Sequence, residues 1–241
     1  MKKIASFVAV LLIPFALHAQ EKVSANLFDL KSNQGKKLFT FQLDITPQGA
    51  ESLVVSEFRD LTGKVVVAEK GVVKGPELVS YEIDRPQTSE KGRIAVRDGR
   101  IFFEYEGPNG KKKSSDEKVK GLILCSANFS SFVKAHWEEL SAGKSLDVRF
   151  AVWDRLETVG FTLKKIKDVT QGDKRLLELQ MKPTSFVIAA IVDPVNLWYA
   201  YDDQKIQVLK GRVAPKFQGD GKWKDLDAEV VYTYDQKAVS K

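Results

Sequence analysis

The chain is poor in the residues that most reaction centres need, with one cysteine, Cys125, and two histidines, His18 and His136. A single thiol cannot close a disulfide within the chain, so its stability has to come from a packed core. Cys125 lies inside the apolar run Gly121 to Ala127 and reads as an inert buried thiol rather than a nucleophile. His18 belongs to the N-terminal apolar stretch, which leaves His136 alone beside Trp137. One imidazole is too few for a Ser-His-Asp or Cys-His arrangement or for a His-based zinc site, and His136 reads as a residue on a helix flank. Gly-x-Ser-x-Gly, His-Glu-x-x-His and phosphate-loop patterns are missing too. No catalytic or metal-binding residue is assigned, no cofactor is expected, and the chain reads as a non-catalytic protein.

Charge of one sign is also scarce. The formal net charge is +6, too mixed a surface for a nucleic-acid binder. The one basic run, Lys111-Lys112-Lys113, follows Pro108-Asn109-Gly110 and precedes Asp116 and Glu117, so it is expected to be a solvated hairpin loop. No repeat of fixed spacing and no low-complexity linker divides the chain.

The first residues have the form of a signal peptide. Lys2 and Lys3 make a basic start, Ile4 to Leu17 is apolar apart from Ser6 and Pro14, and Ala19 supplies the small residue before a cut. An apolar run this short, with a proline inside, falls short of the roughly 30 Å hydrocarbon layer. The organisation expected is therefore a leader over residues 1–19 and a single β-rich domain over 20–241. The mature chain should be periplasmic or secreted, without stable membrane insertion, in a Gram-negative bacterium. Lys2 and Lys3 leave with the leader and no acid does, which brings the formal charge to +4.

The clearest element is a helix over Asn128 to Gly143, where Phe129, Phe132, Val133, Trp137 and Leu140 fall on one stripe. Asn128 or Ser130 can cap its free amides and Gly143 can end it. Around it the period is near two. Leu38 to Ile45, Leu53 to Phe58, Lys64 to Ala68 and Leu78 to Ile83 read as strands, and Arg93 to Glu106 is a hairpin turning at Asp98-Gly99. Val119 to Cys125 leads as a strand into the helix.

Beyond the helix, Leu146 to Val152 and Val159 to Leu163 form a hairpin about Asp154-Arg155, and Leu177 to Met181 follows. Phe186 to Val192 is apolar without alternation, a buried helical turn or a strand. A third hairpin turns at Asp202-Asp203, Arg212 to Lys224 reads as a loop, and Glu229 to Tyr234 is a last strand. The fold class is mainly β: a curved antiparallel sheet or incomplete β-barrel with one main amphipathic helix packed on or in it.

Two segments, Phe129 to Ile166 and Phe186 to Gly211, carry a recurrent pattern: Phe-Val, Trp, Leu and Gly, then an alternating strand with Arg-Leu, and later Val-Asp-Pro before a strand. The pattern resembles a widespread group of uncharacterised secreted bacterial β-rich proteins, domain-of-unknown-function families with a lipoprotein-carrier-like look. The resemblance implies export and β-architecture, and it confers no role on any residue. The expected function is a binding or carrier module for an apolar or amphiphilic envelope molecule such as a lipid, with Trp153 and Arg155 as ligand-contact residues at the rim of the sheet. An Arg155 paired with Glu157 and a Trp153 in the core is the plainer account of the same two residues. Two alternatives are a structural or interaction protein of the envelope and a carboxylate-dependent glycan hydrolase using acids near turns, such as Asp154, Glu157 or Asp193.

Overall fold

The computed structural model describes residues 20–234. The expected leader and the last residues of the chain lie outside that span. Its strands are β1 (Glu21–Asp29), β2 (Lys37–Gln48), β3 (Glu51–Arg59), β4 (Val65–Lys74), β5 (Glu77–Arg85), β6 (Glu90–Arg97), β7 (Arg100–Glu106) and β8 (Lys112–Lys118) before the helical segment. After β9 (Leu122–Leu124) come α1 (Phe129–Ala135) and α2 (Trp137–Ser141). The chain then continues through β10 (Leu146–Val152), β11 (Glu157–Gln171), β12 (Lys174–Pro183), α3 (Phe186–Ala189), β13 (Val195–Ala200), β14 (Ile206–Gly219) and β15 (Lys222–Tyr234).

All fifteen strands belong to one sheet in the order β8-β7-β6-β5-β4-β3-β2-β1-β15-β14-β13-β12-β11-β10-β9. Neighbours are antiparallel except β9 and β10, which are parallel. The expected mainly β fold, a curved and unclosed sheet with one main helical segment, is the fold found.

Alternation sets the curvature. In β1, Val23, Ala25 and Leu27 face inward, and in β13 Val195, Leu197 and Tyr199 do. A sheet with one apolar face has to curl until that face is covered. The curl brings distant strands together: Gln87, in the connection after β5, donates to Lys216 O and accepts from Lys216 N of β14, each at 2.7 Å. The edge strand β8 meets the start of β11 and the turn before it without a backbone ladder. Thr158 N of β11 donates to Glu117 Oε1 of β8 at 3.0 Å, and Ser115 Oγ donates to Leu156 O.

The interior is filled by the segment between β9 and β10. A 3-10 turn, Ser126–Asn128, presses on β4 at Gly71, where a Cβ would lie 2.3 Å from Ala127 Cβ. Asn128 is fully buried; its Nδ2 donates to Pro76 O and Ile123 O, both at 2.9 Å, and its Oδ1 accepts from Cys125 N at 2.8 Å. This residue therefore does not cap the helix with its side chain as expected. It ties the turn to the β4–β5 connection and to β9 instead.

The expected single helix is broken at His136, which has φ −107° and ψ 20°. Its imidazole leaves the stripe to meet Glu139 Oε1 at 3.1 Å and the ring of Phe132, 4.5 Å away. The stripe survives the break, since Phe132, Val133, Trp137 and Leu140 are buried against β10 to β13. Fully burying such side chains contributes about 1.5–3 kcal/mol each. Gly143, at φ +92°, ends α2 as expected, with Lys144 N donating to Glu139 O at 2.9 Å.

Four further expectations need correction. Lys112 and Lys113 open the edge strand β8 rather than lie in a loop. Phe186–Ala189 is a helical turn, but it is exposed. Arg212 to Lys224 is mostly strand, with a bulge between Val213 and Lys216 that takes in Pro215. The N-terminal strand β1 stands where none was expected.

Candidate functional site

The core divides into two clusters. One gathers inward residues of β1 to β7 with Cys125 and Trp153, and the other gathers the helical stripe with β10 to β14. Between them lies a cavity of about 200 Å³. Phe41, Phe58 and Val230 wall it on one side, Met181, Leu197 and Phe150 on the other, and Phe129 at the start of α1 also faces it. For scale, an apolar cavity of about 150 Å³ takes up benzene. The stripe's remaining large residues, Phe132 and Trp137, belong to the packed side, so α1 contributes only its first two residues, Phe129 and Ser130, to the cavity.

Several polar groups interrupt this apolar wall, and two of them, Glu69 and Tyr199, are buried with contrasting surroundings. Glu69 of β4 is buried, and its carboxylate accepts from Ser56 Oγ and Tyr81 Oη at 2.6 Å and from Ser126 Oγ at 3.1 Å. Three hydroxyl donors take the place of a cation, which allows a buried carboxylate to sit beside apolar surface. Burial and the neighbouring Glu69 push the Tyr81 hydroxyl well above its ordinary pKa, so it remains a donor.

The second group is Tyr199 of β13, fully buried, whose hydroxyl has no hydrogen-bond partner among the described residues. It lies near Ser130 and Tyr232, both of which line the cavity. Ser130 approaches it without completing a hydrogen bond of acceptable geometry. Leaving a buried hydroxyl unpaired costs about 1–3 kcal/mol. Burial raises the pKa of Tyr199 far above the ordinary phenol value, so the group is a neutral donor. Arg212 also borders the cavity, with its guanidinium directed to Asp227, at 2.8 Å, and to Asp225.

Trp153 and Arg155 do not line this cavity. Trp153 is buried flat against β6, where a Cβ on Gly92 would come within 2.3 Å of its Cε3. The Arg85 guanidinium stacks 4.8 Å from the indole centroid, and Arg85 is held in turn by Glu90 at 2.6 Å and Asp154 at 3.6 Å. Arg155 is exposed and pairs with Glu157 at 2.7 Å. The three acids near turns are thus dispersed, with Asp154 on Arg85, Glu157 on Arg155 and Asp193 exposed in the connection after α3.

Cys125 is buried and its thiol is pushed up to about 12 by desolvation, which keeps it protonated and inert. Among the described residues no group of His, Cys, Asp and Glu is placed to hold a metal ion, and no helix is long and apolar enough to cross a membrane. Glu69 and Tyr199 carry no sequence signal of their own. Glu69 breaks the apolar alternation Val65 to Val73, and that break is the one trace it leaves.

No protein-family model and no curated protein matches the sequence. Among solved structures, the chain is similar to a beta-barrel-like protein of domain of unknown function DUF1849 from Brucella abortus, with a TM-score of 0.44 and 8% identity over 89% of this chain and 94% of that one. It is also similar to a putative outer membrane lipoprotein-sorting protein domain from Vibrio parahaemolyticus, with a TM-score of 0.32 and 10% identity over 90% and 83% of the two chains. A porin-like protein from Bacteroides uniformis gives a TM-score of 0.28 and 10% identity over 89% and 97%. Likenesses of this size bring no residue role, ligand or partner to this chain.

Proposed function

We propose that this protein is an exported, non-catalytic binding or carrier module for an apolar or amphiphilic molecule of the bacterial envelope, held between the two halves of the core. The observation that carries this reading is the cavity beside Phe129, apolar in most of its wall and provided with the unpartnered Tyr199 hydroxyl. Ligand pockets are commonly apolar with a few fixed polar groups, and a buried donor without an acceptor is a group that a ligand oxygen can satisfy. The volume suits one ring system or a short stretch of acyl chain, far less than a whole lipid with several chains. In this reading residues 1–19 are removed on export, residues 20–241 act as one domain in the periplasm or outside the cell, and the source is a Gram-negative bacterium.

The test is native mass spectrometry of the mature protein purified from the periplasm without detergent. A reproducible added mass, lost on delipidation and restored with extracted lipid, supports the reading. A clean apo mass, together with no displacement of a bound naphthylamine dye by octanol or methyl octanoate, would remove it.

A further inference from the structure

Strand direction assigns each connection between antiparallel neighbours to one of two ends of the curled sheet; only the segment between the parallel strands β9 and β10 crosses from one end to the other. The end toward which β1 runs carries the connections after β1, β3, β5, β7, β10, β12 and β14. Most large apolar side chains exposed by the described residues collect at this end; Val55, Leu122 and Ile166 are the exceptions. Phe186, Val187 and Ile191 stand on the connection after β12 and are 89%, 73% and 70% exposed. Phe217 and Trp223 face outward at the β14 to β15 hairpin, Leu30 follows β1, and Leu61 is at the tip after β3.

These connections are consecutive along the sheet. In the order β4-β3-β2-β1-β15-β14-β13-β12, each turn at this end bears at least one of them. At the same end, the turns after β5, β7 and β10 bear none. Strands about 4.8 Å apart make this an arc several nanometres long. The same strands wall the cavity.

Charge separates the two ends of these strands. Around the apolar arc stand Lys31, Lys36, Lys37, Arg59, Lys64, Lys216, Lys222 and Lys224, against Asp29, Asp60, Asp193, Asp220 and Asp225, with Lys36, Lys216 and Lys224 paired to Asp29, Asp225 and Asp220 and the remaining cations in excess. At the opposite end of the same strands stand Glu21, Glu51, Glu77, Asp173, Asp202 and Asp203, against Lys22, Lys74, Lys174 and Lys205. An arc of Phe, Trp and aliphatic side chains fringed by lysine is matched to a surface that is apolar a few ångströms down and anionic at its face.

We infer that this end of the barrel docks reversibly on an anionic lipid bilayer, with Phe186, Val187 and Ile191 entering the interface and the lysine fringe meeting lipid phosphates. The inference stands on the arc and its charge, independently of whether the cavity holds a ligand. The occupant is a bilayer because the apolar residues are spread over separate turns with lysine among them, the pattern of an interfacial contact rather than of one concave groove.

The test is co-sedimentation of the mature protein with vesicles of phosphatidylglycerol and phosphatidylethanolamine, compared with vesicles of phosphatidylcholine alone. Binding to the anionic vesicles is expected, weakened by salt, together with a blue shift in tryptophan emission that is absent in Trp223→Phe. The double variant Phe186→Asp and Val187→Asp changes two exposed side chains, and its unfolding temperature should match the parent while vesicle binding falls by at least about tenfold. No binding by the parent, or equal binding by the double variant, would overturn the inference. It would also be overturned if the parent formed a dimer that the double variant abolishes, without any vesicle binding, because the arc would then be an interface between two copies.

Discussion

Gly92→Ala tests the placement of Trp153 by the sign of its effect. Gly92 lies in β6 outside the left-handed region, and at such a position alanine ordinarily stabilises a protein by about 0.4–1 kcal/mol through the unfolded chain. Here the added Cβ would sit 2.3 Å from Trp153 Cε3, 2.7 Å from Cδ2 and 3.0 Å from Ile83 Cγ2. The indole cannot swing aside freely, because Arg85 covers one face and Tyr105 lies 5.9 Å from it. Overpacking of this kind costs about 1–3 kcal/mol, so the net expectation is a loss of about 1–2 kcal/mol. For a domain of this size that lowers the unfolding temperature by roughly 2–8 °C. Thermal and urea unfolding of Gly92→Ala, Trp153→Leu and the double variant close a cycle. In the Trp153→Leu background Gly92→Ala should turn neutral or stabilising, a coupling of at least about 1 kcal/mol. A Gly92→Ala protein that melts above the parent, or effects that simply add, would refute the packing of indole on strand.

Further expectations concern the buried polar groups and the surface. Tyr199→Phe removes a hydroxyl without a partner, so the ligand-free protein should keep its stability or gain up to about 1 kcal/mol, whereas Glu69→Ala strands the buried hydroxyls of Ser56 and Tyr81 and should lose about 1–3 kcal/mol in the same urea titration. Asp168 is held well below its ordinary pKa by Lys165, then by Arg175 and Tyr201. A depressed carboxylate contributes stability that is complete well above its ordinary value of 3.8 and is lost as pH falls through that value toward the depressed one. Asp168→Asn should therefore melt lower than the parent at pH 7, with the gap closing in acid. Cys125 should resist an aromatic disulfide reagent in the native protein and react fully in denaturant, its burial and raised pKa both acting against attack.

The β-rich fold was legible because alternation is strong wherever one face is buried. The hairpin at Asp98-Gly99 is found as read, with φ +52° and +68° at the two residues. Where the reading departs from the structure, each departure has a physical cause. In β8, Lys112–Lys118 has no apolar residue, because an exposed edge strand needs none and its charge discourages further pairing. In β14, Pro215 falls in a bulge where the ladder does not ask for its missing N–H. In β1 the alternation of Val23, Ala25 and Leu27 was present in the sequence, placed close behind the apolar run Ile4 to Leu17.

Phe186 to Val192 reads as buried because seven apolar residues in a row usually are, and composition says nothing of the end of the barrel on which the run stands. The site was less legible than the fold. Phe129 is part of the stripe that the sequence displays, but Glu69, Tyr199 and the residues around them come from strands far apart in the chain. Only the curl of the sheet assembles them.

The strand order has a consequence for how the chain is completed. The first and last strands, β1 and β15, are neighbours in the middle of the sheet, paired from Val23 and Tyr234 to Asp29 and Ala228. The two free edges, β8 and β9, follow each other in sequence and are joined by residues 119–121. Synthesis therefore delivers the two central strands first and last among those described, and the half-sheet β1 to β8 must wait with β1 unpaired on one side until β15 arrives. Rejoining the ends and opening the chain at 119–121 would yield a molecule that starts at one edge and finishes at the other, with every antiparallel pair consecutive, β15 and β1 now among them. That permutant turns the slow long-range closure into a local hairpin, and it should reach the same sheet by a faster route.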